Sequence, residues 1–100
     1  MTTNKLVISP AAKEDLQNIY DYGKGNWGVV RATKYLFHIK SKFSYLQSNP
    51  QGCAVRNELL PGIRCLPVKN HNVFYQFESQ QVEIIRVLQG RQSAALHISM

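Results

Sequence analysis

The sequence predicts an α+β fold: an N-terminal strand, an antiparallel helix hairpin, a three-stranded antiparallel meander that completes one sheet, and a short C-terminal helical turn. Three observations predict it. Residues 61–92 hold three apolar, β-branched stretches separated by Asn70-His71-Asn72 and Ser79-Gln80-Gln81, gaps that suit hairpins. Between Pro10 and Gln47 the apolar side chains recur at helical spacing. Ahead of these, Lys5-Leu-Val-Ile-Ser9 is a short β-branched run leading into Ser9-Pro10.

Ser9 and Pro10 open the first helix. A serine hydroxyl caps a helix N-terminus, and proline suits the first helical position because its missing N–H would be unpaired there anyway. Glu14 and Asp15 near this start agree with the helix dipole. Ala12, Leu16, Ile19 and Tyr20 share one face. The helix is expected to run to about Tyr22, with Gly23 and Gly25 as stops and Asn26-Trp27-Gly28 as a tight connection. The second helix is expected over Val30–Gln47, with Ala32, Leu36, Ile39, Phe43 and Leu46 facing inward and Asn49-Pro50 ending it. His38 beside Lys34 and Lys42 reads as an exposed helix residue, as do Lys13, Lys24 and Lys40.

Residues 51–61 form the longest irregular segment. The strands follow at Ile63–Val68, Asn72–Glu78 and Val82–Gln89. On strict alternation, Ile85 and Val87 oppose Ile84, Arg86 and Leu88, so apolar residues occupy both faces of the last two strands. One face is expected under the helix hairpin. The other, apolar with arginine mixed in, reads as a partner-binding surface. Gln92–His97 is expected to make a helical turn or two across an end of the sheet.

The chain of 100 residues is read as a single domain spanning 1–100. No apolar run approaches a membrane span or a secretory signal, so a cytoplasmic location is expected and no membrane partner. Cys53 and Cys65 read as small packing residues, and His38, His71 and His97 show no ligand-like spacing, so neither metal nor cofactor is expected. The net charge of +6 favours an anionic partner. Its basic residues are scattered rather than clustered in an arm, so direct nucleic-acid binding is not expected as the main role.

Several short motifs follow one another along the chain. They are the strand followed by Ser9-Pro10-Ala11-Ala12, then Asp15-Leu16-x-x-Ile19, Pro61-Gly62-Ile63-Arg64, His71-Asn72-Val73-Phe74-Tyr75, Val82-Glu83-Ile84-Ile85-Arg86-Val87-Leu88 and Gly90-Arg91-Gln92. In these the chain resembles the ParE branch of the ParE/RelE toxin superfamily of bacterial type II toxin–antitoxin systems, which includes plasmid stabilisation proteins. The resemblance covers nearly the whole chain. It implies inhibition of DNA gyrase by binding, or of the related topoisomerase IV, and neutralisation by a cognate ParD-like antitoxin that wraps a C-terminal segment around the toxin.

The alternative is a RelE-like, ribosome-dependent messenger RNA endoribonuclease. That chemistry needs a base for the ribose 2′-hydroxyl, cations for the phosphorane charge and an acid for the leaving oxygen. RelE-like chains commonly carry an arginine where this sequence has Asn72, and no tyrosine follows Tyr75. His97, Arg64, Lys69 and Arg86 are the residues that could form such a constellation, and a toxin-fold module without toxicity is a third reading. A gyrase poison needs a complementary surface and no general base, so no catalytic residue is expected. Arg64, Lys69, His71, Arg86 and Arg91 are the candidates for target or antitoxin contact. Structural roles are weighed beside them: Arg64 and Arg86 could pair with Glu58, Glu78 or Glu83, His71 could cap its turn, and Lys69 and Arg91 could be solvated charge.

Overall fold

The computed structural model describes residues 4–90, 92 and 94–98. In chain order it has β1 (Lys5–Ile8), α1 (Pro10–Trp27), α2 (Val29–Ser48), β2 (Arg64–Val68), β3 (His71–Glu78), β4 (Gln81–Gln89) and α3 (Ala94–His97). The α+β architecture is the one the sequence predicts. The strands form one sheet in the order β1-β4-β3-β2. β2, β3 and β4 are the antiparallel meander, and β1 runs parallel to β4 on its far side.

Ser9 joins β1 to α1 and ties both to β4. Its hydroxyl accepts the Ala12 N–H at 3.0 Å and donates to the Ile85 carbonyl at 2.8 Å. A serine cap of this kind contributes about 1 kcal/mol. α1 does not stop at Gly23 or Gly25 as expected, but continues to Trp27. Gly23 is buried, and a Cβ there would sit 3.2 Å from both the Ala32 Cβ and the Trp27 ring. The glycine therefore serves close helix approach, not termination. The stop is Gly28, at φ 90°, whose N–H donates to the Lys24 carbonyl at 3.2 Å. That left-handed conformation suits glycine, and one residue replaces the expected longer connection. α2 matches its expected span to within one residue at each end.

Both hairpin turns are shorter than expected. Val68 pairs with His71 and Glu78 with Gln81, leaving Lys69-Asn70 and Ser79-Gln80 as two-residue loops. Ser79 and Gln80 both take positive φ, 53° and 59°, the mirror-image turn that matches strand twist. His71 is thus the first residue of β3 and not part of a turn.

β4 also departs from strict alternation. Phe74 pairs with Arg86 but Tyr75 pairs with Ile84, so Ile85 is an extra, bulged residue. The bulge shifts the parity of the strand. Val82, Ile84 and Val87 join Ala12, Leu16, Ile39, Phe43 and Leu46 in the core under the helices, while Leu88 packs with Ile63, Phe74 and Ile98 on the opposite side. Leu59, Leu60, Cys65, Ile85 and Ala94 border that second cluster. The face read from the sequence as an open partner surface is therefore substantially covered by the chain's own 59–63 segment and C-terminal turn. The physical reason is the usual one: apolar side chains on a second sheet face are withdrawn from water wherever chain is at hand to cover them.

Gly23 and Gly25 separate the two uses of glycine in α1. Gly23→Val is expected to lower unfolding free energy by about 1–3 kcal/mol through overpacking. Gly25→Ala, whose Cβ would meet nothing within 4 Å, is expected to raise it by up to about 1 kcal/mol. Urea denaturation of the two variants checks both signs.

Candidate functional site

β1 pairs with β4 only as far as Ile84. Beyond that point the free edge of β4 runs beneath α1, and a cleft of about 450 Å³ opens there. Val87 and Gln89 of β4 lie at its base, Asp15, Asn18, Ile19 and Tyr22 of α1 form one wall, and Trp27, Tyr35 and the Asn70-His71 corner form the other. Gln92 completes the lining.

The edge of β4 is closed by side chains in place of a neighbouring strand. The Asp15 carboxylate accepts the Val87 N–H at 2.9 Å and a two-pronged contact from Arg86, with Nε at 2.7 Å and Nη2 at 2.8 Å. This ion pair is mostly withdrawn from solvent. Hydrogen bonding to Asp15 raises the Arg86 pKa further above its already high value, so the guanidinium stays charged. A third Arg86 nitrogen, Nη1, donates to the His97 carbonyl at 3.3 Å and holds the end of α3. Next along the edge, the Gln89 N–H donates to Gln92 Oε1 at 2.6 Å.

An aromatic series crosses the other wall. Tyr22 meets Trp27 edge-on at 6.2 Å between centroids, and Trp27 meets Tyr35 edge-on at 6.0 Å. Tyr35 Oη then lies 2.6 Å from His71 Nδ1. Burial lowers the His71 pKa, with the Asp15 charge opposing that shift, and so favours the neutral imidazole. Burial raises the Tyr35 pKa, opposed by a hydrogen bond from the Asn70 backbone. The direction of the Tyr35–His71 hydrogen bond follows the imidazole tautomer, since Tyr35 Oη can donate to a bare Nδ1 or accept from a protonated one. Two cations flank the series. The Arg31 guanidinium lies 5.5 Å from the Trp27 ring centroid and the Lys69 ammonium 5.9 Å from that of Tyr35, each within cation–π range.

Of the residues singled out from sequence, Lys69 and His71 come together around Tyr35 at the cleft. Arg86 reaches the cleft wall through Asp15. Arg64 lies apart on β2, where its Nη1 donates to the Cys53 carbonyl at 2.7 Å. Arg91 lies outside the described residues. The expected arginine partners are corrected: Arg86 takes Asp15, Arg64 takes a carbonyl, and Glu58 pairs with Arg56. Sequence separation hid the Asp15 pairing, because a helix carboxylate early in the chain meets a strand near its end only in the folded sheet. Tyr35 and Trp27 were missed as site residues. Trp27, the chain's single tryptophan, was a usable signal, since a large ring in a tight helix connection must pack somewhere. Among the described residues no cluster of histidine, cysteine or acidic side chains could hold a metal ion, and no helix is long and apolar enough to cross a membrane.

Against known proteins, a family model described as the ParE toxin of the type II toxin–antitoxin system parDE matches residues 6–94. The chain belongs to the ParE toxin family. It is 30% identical over 90 residues to Toxin ParE1 of Mycobacterium tuberculosis, covering 89% of this chain and 92% of that one. Its fold is similar to that of the chromosomal ParDE toxin–antitoxin system from P. aeruginosa, with a TM-score of 0.77, 24% identity and coverage of 87% and 96%. A more distant likeness is to the RelBE2 toxin–antitoxin complex of M. tuberculosis, with a TM-score of 0.59, 14% identity and coverage of 88% and 99%. The sequence motifs thus identify the family correctly, and in this chain an aromatic, cation-flanked cleft lies at the unpaired end of β4.

Removing the Asp15 carboxylate strands a charged guanidinium and a buried backbone N–H. Asp15→Ala is expected to cost about 2–4 kcal/mol in chemical denaturation. His71 yields a pH prediction. Its folded pKa lies below its ordinary value of 6.5, so stability is fully present above that value and falls as pH drops through it towards the folded pKa. Tm is expected to be level around roughly pH 7–8 and to decline below about pH 6.5, with a smaller decline in His71→Gln.

Proposed function

We propose that this ParE-family toxin acts in the cytoplasm by binding DNA gyrase and blocking it, without enzymatic chemistry of its own, and that a ParD-like antitoxin neutralises it. The observation that supports binding over catalysis is that two of the four residues from which a nuclease site could be drawn, Arg64 and Arg86, have guanidinium groups already taken by the chain's own acceptors. Arg86 is paired with Asp15, and Arg64 is engaged with a carbonyl on β2. The exposed His97 contributes its carbonyl to Arg86. Lys69 lies over the ring of Tyr35, a residue of the cleft. A phosphoryl-transfer site needs its acid, base and cations converging within hydrogen-bond reach of one phosphate. What surrounds the cleft instead are tryptophan, tyrosine and arginine, the residue types that anchor protein interfaces. Lys69 and His71 are the contact residues this reading favours. Arg64 and Arg86, with guanidinium groups already held by the chain's own acceptors, contribute mainly through the surface they shape.

Purified gyrase with ATP and relaxed plasmid tests the reading. Addition of this chain is expected to abolish supercoiling and to accumulate linear DNA. Unimpaired supercoiling together with messenger cleavage on added ribosomes would overturn it in favour of the ribonuclease.

A further inference from the structure

We propose that the outer face of α2 is the surface that meets the target: Phe37, set between Lys34 and Lys40, seats in an apolar recess of an acidic protein surface on gyrase. This rests on the gyrase-binding reading above and adds the surface and the chemistry by which it is recognised.

Three features of the helix specify that partner. First, its charge has one sign. Val29–Ser48 holds Arg31, Lys34, Lys40 and Lys42, four of the twelve Lys and Arg in the chain, and none of the six Asp and Glu. Among the described ion pairs, none includes a residue of α2. Arg31 and Lys34 stand early in the helix, against its dipole, with no acidic residue in the first turn and no side-chain cap to balance them. A surface helix built for stability alone mixes the two signs at three- and four-residue spacing. One that carries cations only, against its own dipole, is complementary to an anionic partner.

Second, an apolar stripe lies among the cations. Ala32, Ile39, Phe43 and Leu46 are the buried residues of α2. Val30 and Phe37 point away from them, 70% and 69% exposed, and lie about 10 Å apart along one side of the helix. Phe37 is roughly 160° round the helix axis from Tyr35, so this face is separate from the cleft. Lys34 and Lys40 stand one turn before and one turn after Phe37. The hydroxyls beside the ring are turned back on the helix: Thr33 Oγ1 donates to the Val29 carbonyl at 2.8 Å and Ser41 Oγ to the His38 carbonyl at 2.6 Å. What faces outward is a ring between two ammonium groups. A large side chain this exposed gains much when a partner covers it.

Third, other occupants fit less well. Symmetric pairing with a second copy would set two helices of like charge against each other. A nucleic-acid strand stacks successive bases on successive rings, and the other large side chain of the stripe is a valine.

The test is titration of the chain into a gyrase supercoiling assay. The unaltered chain is compared with Phe37→Ser, with the double variant Lys34→Glu/Lys40→Glu and, as a charge control on α1, with Lys13→Glu. Urea denaturation confirms that each variant is folded. The expected result is about tenfold more protein needed for half-inhibition by F37S and by the double variant, with K13E unchanged. F37S or the double variant inhibiting at the concentration of the unaltered chain overturns the α2 face and leaves the gyrase reading standing. In that case the probe whose binding F37S weakens names the true occupant: an oligothymidylate, the co-purified antitoxin, or a second copy in sedimentation. An equal loss in K13E reduces the effect to net charge and also overturns the α2 face. Supercoiling unimpaired by the unaltered chain overturns the gyrase reading and this inference together.

Discussion

The carboxylate of Asp15 sets the geometry on which the rest of the site depends. β4 is an interior strand, yet β1 covers only the first half of its outer edge. The Val87 N–H beyond that point is buried and has no strand to pair with. A backbone donor left so costs about 1–3 kcal/mol, a sizeable share of a small domain's stability. Asp15 reaches across from α1 to take that proton, and Arg86 balances the charge that would otherwise be stranded. Gln92 performs the same service for Gln89 one step further on. The edge is satisfied without a covering strand, and the space that a longer β1 would have filled remains as the cleft.

The bulge at Ile85 is the complementary device. It lets one strand supply two cores. Ile84 and Val87 both face the helices, while Leu88 turns to the other side and meets Phe74. A strictly alternating strand would have set Ile84, Arg86 and Leu88 on one side and placed a guanidinium among apolar neighbours. With the extra residue, Arg86 can reach Asp15 at the sheet margin. The bulge and the ion pair are thus two parts of one solution to ending strand pairing partway along β4.

The same economy bears on function. A strongly basic chain suggests cationic contacts everywhere, but Arg64 and Arg86 hold the molecule together. Among the described residues, Arg31 and Lys69 hold charge for partners near the cleft, poised over Trp27 and Tyr35. Aromatic rings edged by cations bind through both dispersion and charge, which suits recognition of another protein better than transfer of a phosphoryl group.

By itself the sequence determined the element order, the helix cap at Ser9, the meander and the family, because these follow from local periodicity, turn chemistry and short motifs in order along the chain. It was least legible where a residue's role depends on what it meets. Gly23 reads as a helix stop until Ala32 and Trp27 are packed against it, and Asp15 reads as a dipole partner until β4 arrives. The second sheet face reads as open until residues 59–63 and the C-terminal turn fold over it. Tyr35 gives no signal along the chain, since its partner His71 lies 36 residues away. Tertiary structure decided these points because each is a contact between elements distant in sequence, and a linear pattern does not record what is brought to a residue's face.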